Sequence, residues 1–155
     1  MEYAADNGTQ RMILIAVDSS EACKKAVVYA KKIFPIGYTY HLVHIQTSAD
    51  TAALAFAKQH ECDELREATA KSFVHSRLLY LAGSAGAAVK FTMLQNHSDS
   101  SSHVGALICN FTEKNNPSAL IMMRARKSSM TRIFLGSVTT YCAVHSLSPV
   151  IIIPE

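Results

Sequence analysis

The chain is expected to fold as one α/β domain, a five-stranded parallel sheet with helices on both faces. Three observations predict this. Short, almost uninterrupted apolar runs recur along the chain ("MILIAV", "ALIMM", "VIII"), as strands buried on both faces require. Segments with helical spacing of apolar residues separate them. The resulting order, βαβαβαβαβ, closes as a parallel sheet with right-handed crossovers. A length of 155 residues fits a single domain, with residues 1–11 as a tail and 12–155 as the domain.

The first strand is Met12–Val17, and it stops at Asp18. Asp18 followed by Glu21 reads as a capping box for a helix running to about Phe34. On that helix Ala22, Ala26, Tyr29, Ala30 and Ile33 share the expected inner face, with Lys24, Lys25, Lys31 and Lys32 toward solvent. Pro35 and Gly37 end it. A second strand, Tyr40–Gln46, is rich in aromatic and β-branched residues. A long helical region from about Thr51 to Leu81 follows, closed by Gly83 and Gly86. Alternation in "AVKFTML" predicts a third strand over Val89–Leu94, at or near an edge. The polar loop "NHSDSSSH" is able to cap a helix whose stripe is Val104, Leu107, Ile108 and Phe111. Ala119–Met123 and Val150–Ile153 are the last two strands. The helix between them carries Val138, Tyr141, Cys142 and His145 on one face.

Composition narrows the function classes. Hydrophobic residues make up 49% and charged residues 17%, the balance of a compact globule. A formal charge of +3 is too small to imply a polyanion partner without a local cluster. No apolar run approaches the roughly 20 residues of a membrane span, and the N-terminus lacks the basic start and apolar core of a signal peptide. A cytoplasmic protein is expected. The four cysteines, Cys23, Cys62, Cys109 and Cys142, form no CxxC pair and read as small buried hydrophobes. The seven histidines lack ligand spacing, and no metal site is expected.

In parallel α/β folds ligands bind beyond the carboxyl ends of the strands, where strand order reverses. The loops at that edge are Asp18–Ser20, Gln46–Asp50, Gln95–Ser102 and Met123–Leu135. The last carries Arg124, Arg126, Lys127 and Arg132 and ends at Gly136-Ser137, which opens a helix. Free amides and the dipole at such a start suit an anion. The plainer alternative is that Ser137 only caps the helix.

"ILIAVDSSEACKKAVVYA", "LVHIQ" and "ALIMMRARKSSMTRIFLGSVTTYCAVHSLSPVIIIP" resemble the universal stress protein family, from Met12 to Pro154 and in the same order. The resemblance implies a doubly wound, adenine-nucleotide alpha-hydrolase-like fold and a homodimer. One branch of that family binds ATP, marked by G-x2-G-x9-G-[ST] after the fourth strand; the other does not. In this chain Gly136-Ser137 matches the end of the motif, while Arg126 and Met123 stand where the other two glycines belong. Asp18, between Val17 and Ser19, matches the aspartate that contacts adenine, and Ile45 matches the residue that packs on the base. The implied nucleotide set is Val17, Asp18, Ser19, Ile45, Met123, Arg124, Arg126, Gly136, Ser137 and Val138, with ATP or AMP as ligand. Motif glycines permit positive φ and close approach of a phosphate. Arg126 either replaces them with a bidentate guanidinium or fills the pocket.

Two functions follow from this mixed match. One is a dimeric stress-response protein that binds an adenine nucleotide weakly, as sensor or regulator. The other is a nucleotide-free interaction module, favoured by the missing glycines. Nucleic-acid binding through the cationic loop is disfavoured, because Phe134 alone offers a stacking platform nearby. An ordinary enzyme is disfavoured too: Ser137 has no identifiable base partner, and no catalytic residue is assigned. Slow ATP hydrolysis stays open. Homodimerisation is expected along Val150–Ile153, because an apolar edge strand is covered when it pairs with its copy.

Overall fold

A computed structural model of the chain describes residues 11–18, 20–46, 78–84, 86–98, 100–124 and 136–155. In chain order the elements are β1 (Arg11–Val17), α1 (Cys23–Ile33), β2 (Tyr38–Gln46), α2 (Tyr80–Gly83), β3 (Ala88–Gln95), α3 (Ser101–Asn115), β4 (Ala119–Met123), α4 (Ser137–His145) and β5 (Val150–Ile153). The five strands form one sheet in the order β3-β2-β1-β4-β5, and every pair is parallel. The predicted fold class stands. β4 and β5 have their expected bounds, while β1 to β3 extend one or two residues further, because pairing with neighbours recruits Arg11, Tyr38 and Ala88.

The apolar runs are explained by burial on both faces. Alternate residues of one strand feed two separate cores. Ile13, Ile15 and Val17 of β1 pack with Tyr40, Leu42, Ala119, Ile121 and Ile153 beneath α1. Leu14 packs on the other face with Val43, Leu120 and Met122 beneath α3 and α4, where Ile108 and Cys142 complete the cluster. At roughly 25 cal/mol per Å² of apolar surface, these two layers are the main driving force for the fold.

Three local expectations are corrected. Asp18 and Glu21 do not start α1 as a capping box. Asp18 Oδ1 instead accepts the Ser20 amide at 2.7 Å, Glu21 pairs with Lys24, and the helix begins at Cys23. The Asp18 side chain closes a tight turn more readily than it reaches a helix one turn further on. The inner stripe of α1 is Cys23, Ala26, Val27 and Ala30; Ile33 is 48% exposed. On α4 the buried residues are Thr139 and Cys142, while His145 is exposed and tilts its ring against Tyr141, with centroids 4.3 Å apart.

The expected helix over Thr51–Leu81 lies outside the described residues except for its end. There Leu78 is buried and α2 runs out at Gly83. The expected edge position of β3 is confirmed by strand order, as is that of β5. Among the described residues no helix is long and apolar enough to cross a membrane.

Candidate functional site

Strand order reverses at β1, which has β2 on one side and β4 on the other. The register sets Val17 beside His44 and Ala16 beside Met122, so β1, β2 and β4 end close together on one edge. Asp18 follows β1, Ile45 sits near the end of β2, and Met123 with Arg124 ends β4. Gly136, Ser137 and Val138 open α4, which then returns along the sheet to β5. The fold therefore gathers these sequence-selected residues at the carboxyl edge. Ser19 and Arg126, the other two, lie outside the described residues.

Asp18 is exposed but tightly held. Its Oδ1 accepts the Ser20 amide and, at 3.2 Å, the Cys23 thiol, while its own amide donates to the Cys23 sulfur at 3.3 Å. Burial pushes its carboxyl up, but the hydrogen bonds from Ser20 and Cys23, with the nearby His44, outweigh that and hold it below the ordinary carboxylate value. It is a carboxylate at neutral pH. His44 Nδ1 lies 3.1 Å from the Val17 carbonyl, which can only accept, so that nitrogen carries the proton.

The strand residues divide between the two faces. Val17 and Met123 pack into the core under α1. Ile45 and Val138 pack against the other core, under α3 and α4. Met123, which occupies the first glycine position of the family motif, is thus half-buried and packs against the core under α1. The Arg124 amide donates to Ile153 O at 2.9 Å, so this N–H belongs to the sheet and is not offered to a ligand. Gly136 is the N-cap of α4 with φ −60 and ψ 154, a conformation open to any residue, and its carbonyl accepts the Thr140 amide. Among the described residues no side chain caps α4; Ser137 is its first residue and is exposed. The alternative in which Ser137 acts as the cap is thus not what is found. The first-turn amides of a helix have no partner within the helix, as an anion site requires.

Cys23 is the residue that sequence reasoning missed. The sequence predicts a small buried hydrophobe there, and Cys23 is buried, with its thiol pushed up to about 12 by desolvation chiefly. Its spacing from Asp18 carried the signal: the first buried residue of α1 must lie under the turn that ends β1.

A cleft of about 470 Å³ opens at the opposite, amino-terminal edge, lined by Ile36, Tyr38, Tyr40 and Gly86 among others. Lys31 borders it, but its ammonium is engaged by the Leu81 carbonyl and by the carbonyl and hydroxyl of Ser84. This cleft has none of the edge residues described above. No group of metal-ligating side chains occurs among the described residues.

The profile of the universal stress protein family matches residues 10–154. Among solved structures, a universal stress protein from Lactobacillus plantarum superposes with a TM-score of 0.66 at 21% identity, over 95% of this chain and 99% of that one. A family member from Arabidopsis thaliana with AMP bound gives 0.58 at 14% identity, over 94% and 92%. A universal stress protein in complex with cAMP gives 0.63 at 15%, over 94% and 97%. A comparison with curated protein sequences finds no significant match.

Proposed function

The chain belongs to the universal stress protein family, and from that membership we propose that it is a dimeric stress-response protein that binds an adenine nucleotide weakly at the carboxyl edge of its sheet. The observation that supports this is that an ionised Asp18, the apolar Ile45 and the start of α4, with no side-chain cap among the described residues, all lie at the carboxyl edge where strand order reverses. Asp18 would accept from the adenine amino group, Ile45 would lie against the base, and the Ser137 and Val138 amides would take phosphate. Two structurally similar proteins hold AMP and cAMP, which supports the class of ligand.

Weak binding follows from the motif. With Met123 and Arg126 in place of two close-approach glycines, about two backbone bonds to phosphate are lost. Each charge-assisted bond contributes about 1.5–3 kcal/mol, so affinity drops by roughly two orders of magnitude or more against a member with all three glycines.

The dimer would form along β5. Among the described residues no strand pairs with its outer edge, Val150–Ile152 are only half-buried, and Leu147 beside it is 80% exposed. Pairing with a second copy would cover all of these.

Calorimetric titration of AMP and ATP into the native protein, Asp18→Ala and Arg126→Gly tests the nucleotide reading. Asp18→Ala is expected to abolish binding of both. If Arg126 holds phosphate, Arg126→Gly weakens ATP more than AMP; if it fills the pocket, the same change strengthens both. Silence from all three proteins at millimolar nucleotide refutes the reading and leaves the interaction module, which the two absent glycines favour.

A further inference from the structure

Helices α3 and α4 touch through bare backbone. A Cβ added at Gly105 would lie 2.7 Å from the Tyr141 ring, so the glycine is what lets the two helices close on each other. One turn beyond Gly105 stands Cys109, and next to Tyr141 stands Cys142. The Cys142 sulfur reaches the Gly105 carbonyl at 3.7 Å, one helical turn before Cys109 on α3, so both cysteines stand at the same helix contact. Both belong to one apolar cluster, with Cys142 fully buried and Cys109 half-buried.

We propose that Cys109 and Cys142 are a modification site: a hydroperoxide converts them into an intramolecular disulfide that joins α3 to α4. This does not rest on the nucleotide reading. Cys109, the more accessible, reacts first. Its thiolate attacks one oxygen of the peroxide, the O–O bond breaks, and Cys109 becomes a sulfenic acid while the other oxygen leaves as water or alcohol with a proton. The Cys142 sulfur then attacks the sulfenic sulfur. The S–O bond breaks, and the hydroxyl leaves as water with the Cys142 proton. Two thiols lose two electrons, and one peroxide gains them.

The order of the steps follows from the contact. Burial raises both thiols, Cys142 to about 12. The neighbouring Cys142 opposes burial at Cys109, whereas Cys109 reinforces it at Cys142, so Cys109 is the more readily ionised of the two. Because the thiolate is the nucleophile, reaction is slow at neutral pH and quickens as pH rises. The device answers sustained peroxide and ignores brief pulses. Cys23 is different: its thiol is spent on Asp18.

The test exposes the full native chain to hydrogen peroxide at about pH 7 and about pH 9, blocks remaining thiols, digests, and maps the peptides by mass. The expected product is one cross-link between the Cys109 and Cys142 peptides, lost on treatment with dithiothreitol and formed at least about tenfold faster at the higher pH. In Cys142→Ser the Cys109 sulfenic acid has no partner and is captured by dimedone. Should serine not be tolerated in the core, Cys142→Ala serves, and the peptide map of the native chain decides by itself. Conversion of Cys109 to sulfinic or sulfonic acid in the native chain, a cross-link to Cys23 or Cys62 or between two chains, or intact thiols at both positions after prolonged exposure would each overturn the proposal.

Discussion

The thiol of Cys23 donates to Oδ1 of Asp18 at 3.2 Å, while the Asp18 amide donates back to the Cys23 sulfur at 3.3 Å. This reciprocal pair fastens the end of β1 to the first residue of α1. It also holds the Asp18 carboxylate in place at the carboxyl edge of the sheet. Cys23 thus acts through Asp18, as a positioning residue.

Cys23→Ala removes the donor and part of the packing under the turn, and is expected to destabilise the fold by about 1–2 kcal/mol. The Asp18 carboxyl should titrate at higher pH in that variant, and Cys23→Ser should bring it back down. Urea denaturation and carbon-13 titration of the carboxyl read these two effects separately. An unchanged Asp18 titration in Cys23→Ala would show that the thiol does not position it.

The sign of the pH effect at Asp18 follows from its direction of shift. The carboxyl sits below its ordinary value of 3.8 when folded, so its contribution to stability is complete above that value and is lost as pH falls through the lower, folded value. Native protein is expected to lose stability between about pH 4 and pH 2 more steeply than Asp18→Asn. Denaturation midpoints measured across that range check it.

Much of this was legible in the sequence because two-sided burial leaves a strong mark. "MILIAV", "ALIMM" and "VIII" are strands because each side chain in turn enters one core or the other, and β4 and β5 fell where they were expected. Helix faces were less legible. On α1 the apolar residues Val27, Val28 and Ile33 surround the helix, and only contact with the sheet selects Cys23, Ala26, Val27 and Ala30. The capping reading of Asp18 failed because its side chain serves the Ser20 turn and Cys23, a competition that spacing cannot decide. The resemblance supplied the carboxyl-edge residues, but not that the Met123 side chain packs against the core under α1, since strand parity past Ile121 settles that only once register is known.

Gly105→Ala places a methyl against the Tyr141 ring, at 2.7 Å if nothing moves. The helices must separate, at a cost of about 1–3 kcal/mol. Tyr141→Ala in the same chain should recover part of that loss, a coupling that a double-mutant cycle in urea measures.

Light scattering at tens of micromolar should find two copies of the chain. Leu147→Asp sets a charge on the 80% exposed side chain beside β5 without touching the core, and should weaken the dimer by about tenfold or more. A monomer in the native protein would rule out the assembly along Val150–Ile153.

The most direct measurement of the central claim is the amide spectrum of nitrogen-15-labelled protein as AMP is added to millimolar concentration. The expected result is saturable movement of Asp18, Ser20, Ile45 and Gly136–Val138, with Gly37, Ala87 and the rest of the amino-terminal cleft unmoved. A spectrum that stays still, or one that moves at Tyr38 and Gly86 while Asp18 and Gly136 do not, would contradict a nucleotide site at the carboxyl edge.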